Sequence, residues 1–378
     1  MTPVVLAGYA RSPFTFANKG ALAMKRPDDL AAEVIKGLVE RENIDPALIE
    51  DLILGCAFPE GEQGFNMARL VGLMAGLPET VAGVTVNRFC GSSMQAIHMA
   101  AGAIQLGAGE AFICAGVESM SRVPMGGFNP MPNPDLYENN DGAYMPMGET
   151  AENLAEKYQI SRQEQEAFAL TSQTRASEAR SAGRLKSEII PVETNEGIVD
   201  EDACLRPETT LDGLSSLEPA FDAEGSVTAG TSSPLTDGAA AVLVCTEAFA
   251  QNQNLKPIAL LKSIGVSGVS PQIMGIGPVQ ATEKALERAS LKMEDLDIIE
   301  LNEAFAVQAL ACTRELPFDS SKINIDGGAI AIGHPLGATG ARITGKAAQI
   351  LQREDKKYAL ATQCIGGGQG ISTILEAA

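Results

Sequence analysis

Tryptophan is absent from this 378-residue chain, and all aromatics together make up 4% of it. Basic residues are scarce as well: 28 Lys and Arg stand against 48 Asp and Glu, a formal net charge of −20. That balance argues against nucleic acid or an anionic membrane as partner, since neither would meet a basic face. It leaves room for one anionic ligand held by a few local cations. No apolar run approaches the length of a bilayer span. Neither a CxxC pair nor a His/Cys cluster is present, so no metal is expected. Met1 stands two residues ahead of the apolar run VVLAGYA, which leaves no room for a signal or transit peptide. Seven cysteines, odd in number and scattered, read as reduced thiols of a reducing compartment. The expected location is therefore the cytoplasm.

What is abundant is small or apolar. Glycine reaches 38 residues and the hydrophobic fraction 45%, which suits close helix–sheet packing and backbone that lines a tight site. The length predicts two or three packed units. Hydrophobic period and chain breakers predict strands and helices in alternation. Strands are expected at VVLAGYA, IEDLILGC, GVTVNR, EAFICAG and DGAAAVLVCT, with helices over Asp28–Glu42, near Phe65–Ala75 and opening at Gly91. The last third repeats the order: strand IALLKSIGV, helix VQATEKALERA, strand DLDIIEL, helix EAFAVQALACTREL, strand KINID, a helix after Gly337, and strands YALATQC and GISTILE. Such alternation implies α/β layers. The echo between LVERENIDPALIEDLILGC and LERASLKMEDLDIIELNEA suggests a duplicated unit. Between the halves lies a Pro/Gly/Asn/Met-rich stretch followed by helical sequence and charged loops. Long irregular insertions of this kind tend to be binding elements. The expected division is 1–118 completed by 238–256, an inserted loop domain at 119–237, and a second half at 257–378.

Three segments can carry chemistry. In VTVNRFCGSSMQAIHMAAGAI, Cys90 stands where a strand ends and a helix begins. The helix dipole there favours thiolate, and free N–H groups can hold an oxyanion. The plain alternative is a cysteine packed as a small apolar group. In INIDGGAIAIGHPLGATGARI, His334 sits among glycines at the junction of the second half that corresponds to the one bearing Cys90. A pseudo-twofold axis would bring the two together as an activated thiol. The other histidine, His98, lies within an amphipathic helix and reads as structural. In LATQCIGGGQG, Cys364 ends a strand ahead of three glycines; a second thiol can serve as acid or base to carbon, and a Cys90–Cys364 disulfide is the competing idea. A fourth segment, IELNEAFAVQA, puts Asn302 and Glu303 after an apolar strand, where open α/β sheets place ligands. Asn302 equally suits a helix N-cap.

Taken together, VNRFCGSSMQA, NEAF, GGAIAIGHPLGATGAR and CIGGGQG resemble, in order, the signature blocks of the thiolase family. The similarity runs from ARSPF near Arg11 to the C-terminus. FNMAR, TVNRFCGSSMQAIH and VTAGTSSPLTDGAA are most similar to bacterial degradative 3-ketoacyl-CoA thiolases of fatty-acid β-oxidation, whereas biosynthetic members usually show CGSG. The resemblance implies the thiolase fold: two duplicated mixed-sheet α/β halves in α-β-α-β-α layers with an inserted loop domain. It implies thiolytic cleavage of 3-ketoacyl-CoA by CoA through an acyl-Cys90 intermediate, with His334 as base and Cys364 as acid and base. Asn302 and His334 would stabilise the enolate, and backbone N–H groups of Cys90 and Gly366 the second oxyanion. Met147, Arg206, Leu217, Phe221, Ala229, Ser233 and Leu235 match CoA-contacting positions in the insert, as do Met274, Ala304 and Phe305 outside it. No tightly bound cofactor is implied; CoA is a co-substrate. A homodimer or homotetramer is expected, with a hydratase–dehydrogenase subunit as a further partner. Two positions depart from short-chain members: Pro146 replaces a His, and Gly213 replaces a polar residue.

Two other readings compete with this one, the first within the same class and the second outside it. An acetoacetyl-CoA thiolase working in the condensing direction would prefer the four-carbon substrate. A non-catalytic acyl-CoA-binding or complex-forming protein would have no use for Cys90, His334 and Cys364 together.

Overall fold

The computed structural model describes residues 2–378. Its first half runs β1 (Val4–Arg11), β2 (Thr15–Phe16), α1 (Pro27–Arg41), β3 (Asp51–Gly55), α2 (Met67–Met74), β4 (Ala82–Val86), α3 (Ser92–Gln105) and β5 (Ala111–Ser119). There follow α4 (Pro134–Asn139), α5 (Met147–Tyr158), α6 (Arg162–Ser181), the hairpin β6 (Val192–Thr194) and β7 (Gly197–Val199), and α7 (Leu211–Ser215). Strand β8 (Thr236–Thr246) then returns to the sheet and leads into α8 (Glu247–Asn252). The second half is β9 (Ala259–Gly268), α9 (Gly277–Ala289), β10 (Ile298–Leu301), α10 (Ala306–Glu315), α11 (Ala329–Ile332), α12 (Leu336–Arg353), β11 (Tyr358–Ile365) and β12 (Gln369–Glu376).

The strands lie in the order β4-β3-β5-β8-β1-β9-β12-β11-β10, with β2 added on β8. Strands β1 and β9 meet over only two pairs, Val5 with Leu260 and Leu6 with Ala259. On either side of that junction the plan is the same. Antiparallel β1–β8–β5 continues into parallel β3 and β4, just as antiparallel β9–β12–β11 continues into parallel β10. The registers agree too: Asp51 faces Phe112 and Ile298 faces Ala359, the same separation in sequence. Cys90 precedes the first residue of α3 by two, and His334 that of α12 by two. The duplication expected from the weak sequence echo is therefore present in the backbone.

Apolar faces make the layers. Leu30, Val34, Ile35 and Leu38 of α1, with Met67 and Val71 of α2, cover one face of the first sheet. Met94, Ile97 and Ile104 of α3 interdigitate with Ile343, Ala347 and Ile350 of α12 in the central layer. Ala285 and Leu286 of α9 pack with Ala309 and Cys312 of α10 on the outer face of the second sheet. The long helices bury one stripe each, except α12, which is buried along nearly its whole length.

Two predicted elements differ. The strand KINID is reduced to one bridge between Ile323 and Ile299. Asn324 turns left-handed (φ 45°), and its side-chain amide takes the place of a neighbouring strand by bonding both the N–H and the C=O of Leu301. The helical stretch after Thr150 is two helices. Gln159 is left-handed (φ 51°) at the end of α5, and Ser161 with Glu164 forms a capping box that starts α6.

The segment between β5 and β8 is tied down by buried charge. Arg11 on β1 bonds Asp202 at 2.6 Å and Glu188 at 3.1 Å, and Lys346 on α12 reaches Asp326 at 2.8 Å and Glu188 at 3.5 Å. All five side chains are almost completely excluded from solvent, so each charge depends on its partners.

The central layer depends on glycine. A Cβ added at Gly116 of β5 would lie 2.0 Å from the carbonyl oxygen of Gly337, and one at Gly340 would lie 2.3 Å from the backbone nitrogen of Met94. The helices can approach only because these side chains are missing. Gly116→Ala is expected to destabilise the fold by at least about 2 kcal/mol in urea unfolding, since backbone must move to admit the methyl. A loss under about 0.5 kcal/mol, the range of neutral surface changes, would show that the seam is looser than described.

Candidate active site

Cys90 sits in the turn joining β4 to α3. Phe89 before it has φ 42°, a left-handed conformation that costs an aromatic residue energy and so must be imposed. The imposing bonds are local. Asn87 accepts the Phe89 N–H at 2.8 Å, and Ser92 accepts the Arg88 N–H at 2.9 Å while donating to the Phe89 carbonyl at 2.6 Å. The second half contributes as well, because the Gln363 amide donates to the Cys90 carbonyl. A Cβ at Gly91 would strike Ile365, so glycine is needed where the halves touch.

His334 follows Gly333, whose φ of 113° only glycine adopts without strain. Its backbone N–H donates to Thr236 Oγ1 at 3.0 Å. One ring nitrogen, Nδ1, lies 2.7 Å from Thr339 Oγ1, and the other, Nε2, lies 3.4 Å from Asn302 Nδ2. Asn302 comes straight after β10. It is not a helix N-cap: α10 starts at Ala306 with Phe305 in the cap position. Glu303 is instead structural, accepting from Ser172, Asn324 and the Ile330 N–H.

The backbone N–H groups of Gly366 and of Cys90 itself lie near enough to the Cys90 sulfur to favour its thiolate. Cys364 is buried and lies within electrostatic reach of Cys90 and Cys312. All seven cysteines are free, so no Cys90–Cys364 disulfide forms. His98 is the structural histidine, bonded through Nε2 to Thr373 at 2.8 Å.

Burial governs the proton balance. It pushes the Cys90 thiol up to about 11, against the two N–H groups that favour thiolate, and pushes the His334 imidazolium down to about 4, helped by Arg342. Cys364 is raised well above the usual thiol range by burial and by Cys90. The helix tip that would favour thiolate at Cys90 is thus opposed in the resting protein by loss of solvent, with Cys90 half-buried at the cavity wall. Thiol and imidazole are both neutral at rest.

A cavity of about 430 Å³ opens at Cys90. Its walls are apolar: Phe58 and Phe89 from the first half, Met125 and Met145–Met147 from the insert, and Leu336 with Gly366 from the second half. Of the residues expected at CoA, Met147, Met274, Ala304 and Phe305 gather in one apolar cluster with Cys364. Phe221 meets Phe305 edge to face at 5.8 Å, and Ser233 bonds the Ala304 carbonyl at 3.0 Å. Leu217, Ala229 and Leu235 lie exposed on the same insert. Arg206 stands apart from the apolar cluster, exposed, with its guanidinium 5.1 Å over the Phe16 ring.

Glu118 escaped the sequence reading. This fully buried carboxylate at the end of β5 accepts the N–H groups of Ala57 and Phe58, the Gln63 amide and the N–H of Gly337. One charge in the otherwise apolar run AFICAGVES was the available signal. Gln363 and Thr339 were also missed, and nothing in their local pattern marks them.

Two layered halves of matching plan, touching at Cys90 beside an apolar cavity, define a protein of the thiolase class. The chain belongs to the thiolase family: the model "Thiolase, N-terminal domain" matches residues 4–248 and "Thiolase, C-terminal domain" matches 255–377. It is 46% identical over 389 residues to the 3-ketoacyl-CoA thiolase of Bacillus subtilis (strain 168), with both chains covered completely. Human mitochondrial 3-ketoacyl-CoA thiolase in complex with CoA is similar in structure, with a TM-score of 0.93 and 38% identity over 100% of this chain and 98% of that one. The Bacillus anthracis acetyl-CoA acetyltransferase gives a TM-score of 0.92 at 38% identity, covering 100% and 99%.

A neutral resting thiol has a direct consequence. Alkylation of Cys90 by iodoacetamide, followed by mass spectrometry of its peptide, is expected to speed up continuously as pH rises from 7 toward about 11. A rate that levels off below pH 8 would reveal a preformed thiolate and contradict the burial argument.

Proposed function

We propose that the protein cleaves 3-ketoacyl-CoA with CoA, releasing acetyl-CoA and an acyl-CoA shortened by two carbons, as an acetyl-CoA C-acyltransferase of fatty-acid β-oxidation. The observation that carries this is the Cys90 sulfur at the wall of an apolar cavity, with the N–H groups of Gly366 and Cys90 close by and Cys364 within electrostatic reach. A hydrolase has no use for the second thiol.

In this reading His334 Nε2 takes the Cys90 proton as the sulfur attacks the 3-keto carbon. The C2–C3 bond breaks, leaving acyl-Cys90 and the enolate of acetyl-CoA. The Asn302 amide and the His334 imidazolium stabilise that enolate oxygen, and Cys364 gives its proton to the carbon. Cys364 thiolate then takes the proton of an incoming CoA thiol. The CoA sulfur attacks acyl-Cys90, the N–H groups of Cys90 and Gly366 hold the oxyanion, and His334 returns a proton to Cys90. Because both resting groups are neutral, charge appears only as the carbonyl is attacked, in a site that excludes water.

The insert at 119–237 serves as the CoA-binding domain in this reading, flanked by halves at 1–118 with 238–256 and at 257–378. The bound ligands are 3-ketoacyl-CoA and CoA, with no tightly held cofactor. Met147, Met274, Ala304, Phe305, Phe221 and Ser233 surround the thioester end, while Leu217, Ala229 and Leu235 lie along the exposed surface of the insert. Arg206 is the cation for an anionic nucleotide, although its present stacking on Phe16 would have to be shared. Phe58, Phe89, Met125 and Leu336 favour an acyl tail over bare acetoacetyl. The similarity to an acetyl-CoA acetyltransferase supports condensation of two acetyl-CoA molecules as the second reading. Seven free thiols suit a cytoplasmic location.

Purified protein given CoA and 3-ketoacyl-CoA substrates of rising chain length should release acetyl-CoA, with a covalent acyl adduct on Cys90 whose mass follows the substrate. Cys90→Ala should abolish turnover and adduct. Cys364→Ala should still form the adduct but lose kcat by at least about 100-fold. An adduct on another residue, or full activity of Cys90→Ala, would sink the proposal, and a marked preference for the four-carbon substrate would favour the second reading.

A homodimer belongs to the same proposal. Strand β4 lies at one end of the sheet with no neighbour on its outer side, and Phe65, Leu70, Leu73 and Met74 beside it expose apolar surface. An unpaired strand next to an apolar patch is a template for a second copy. Sedimentation at micromolar concentration should read twice the 39.5 kDa chain mass, and a monomer would rule this edge out as a stable interface.

A further inference from the structure

Histidine has two neutral forms, and only the one with a bare Nε2 can accept a proton there. Which form is present depends on what Nδ1 touches. At His334 that partner is Thr339, one turn into α12, with Oγ1 2.7 Å from Nδ1. Both side chains are buried, so water does not compete for either nitrogen. The Thr339 hydroxyl has a single hydrogen, and it lies 3.0 Å from the Pro335 carbonyl one helical turn back, a common arrangement for threonine in a helix. With its hydrogen used there, the oxygen can only accept, and Nδ1 must carry the proton. The opposite side of the ring agrees. Asn302 presents Nδ2, an obligatory donor, to Nε2 at 3.4 Å, which fits a bare nitrogen at that position.

We infer that Thr339 is a positioning residue that fixes His334 in the Nδ1–H form and so keeps Nε2 available as the base. This rests on the proposed role of His334 and extends it to a residue that touches neither substrate nor thiol. It also gives a reason for the threonine in GATGAR: the side chain must be short enough to fold back on its own helix and polar enough to hold the ring.

The chain has only two histidines, which makes the test direct. Protein labelled with ¹⁵N-histidine should give two ring systems by NMR, and His334→Asn identifies which is which by removing one. Wild type should show a protonated Nδ1 and a bare Nε2 at His334. Thr339→Val, equal in shape but without the hydroxyl, should lose that single form and lower kcat about 10- to 100-fold with little change in KM, and Thr339→Ser should restore both. A wild-type His334 protonated at Nε2, with the threonine donating to Nδ1 and the Asn302 amide rotated, overturns the inference without any variant being made. So does Thr339→Val protein that keeps the Nδ1–H form. If the form is lost in Thr339→Val while kcat stays at the wild-type value, the inference falls together with the role of Nε2 as base. If the tautomer behaves as expected and no thiolysis is seen even in wild type, the tautomer assignment holds and the proposed function alone fails.

Discussion

The Glu118 carboxylate accepts hydrogen bonds from Ala57, Phe58 and Gln63 in the first half and from Gly337 in the second, and no cation contacts it. Burying an anion with neutral donors alone is costly, and its affinity for a proton is raised by burial even against that set of bonds. The arrangement is stable only while every donor stays in place. Those donors belong to the wall of the apolar cavity and to the start of the helix that follows His334. Displacing either half would strip the carboxylate of partners, so the same bonds that satisfy Glu118 keep thiol and imidazole in a common frame. The glycines at 116, 337 and 340 permit this contact, and the carboxylate specifies it.

Burial then decides the chemistry available at rest. A Cys–His pair open to water would exchange its proton freely, and the thiolate would be exposed to oxidation and alkylation. Here loss of solvent holds the Cys90 thiol and the His334 imidazole neutral, with the N–H groups of Gly366 and Cys90 set beside the sulfur. Preorganised donors of this kind act only once charge develops. The cost falls on the rest of the fold, which must hold Phe89 in a strained conformation and keep glycines at the points where the halves touch.

Much of this was legible in the residues. The alternation of strand and helix, the duplicated order, and Cys90 and His334 at matching junctions all follow from hydrophobic period and breakers. Those are local properties that tertiary structure left unchanged. The missing strand at KINID was not legible, because Asn324 replaces backbone pairing with a side-chain amide, an arrangement that depends on where Leu301 lies. Nor were the partners at long range: Gln363 reaching Cys90, Glu118 reaching Gly337, and Lys346 reaching Glu188 join segments far apart in the chain. Asn302 shows the intermediate case. Its residue type suited a helix cap, and only the observed start of α10 four residues later separates the two roles. The proton balance at Cys90 is a related case, since a helix tip is visible in sequence and the depth of burial is not.

The equal strand registers carry one more implication. Carried along the strands, they place Gly55 where the other copy has Asn302, and Val117 where it has Cys364. One repeat therefore carries, at the ends of these two strands, a glycine and an apolar side chain, while its twin carries at the same addresses an amide and a buried thiol. The halves are alike in plan and unlike in what they set at their strand ends, and it is that asymmetry, more than the symmetry, that gives the second half polar groups where the first has only packing.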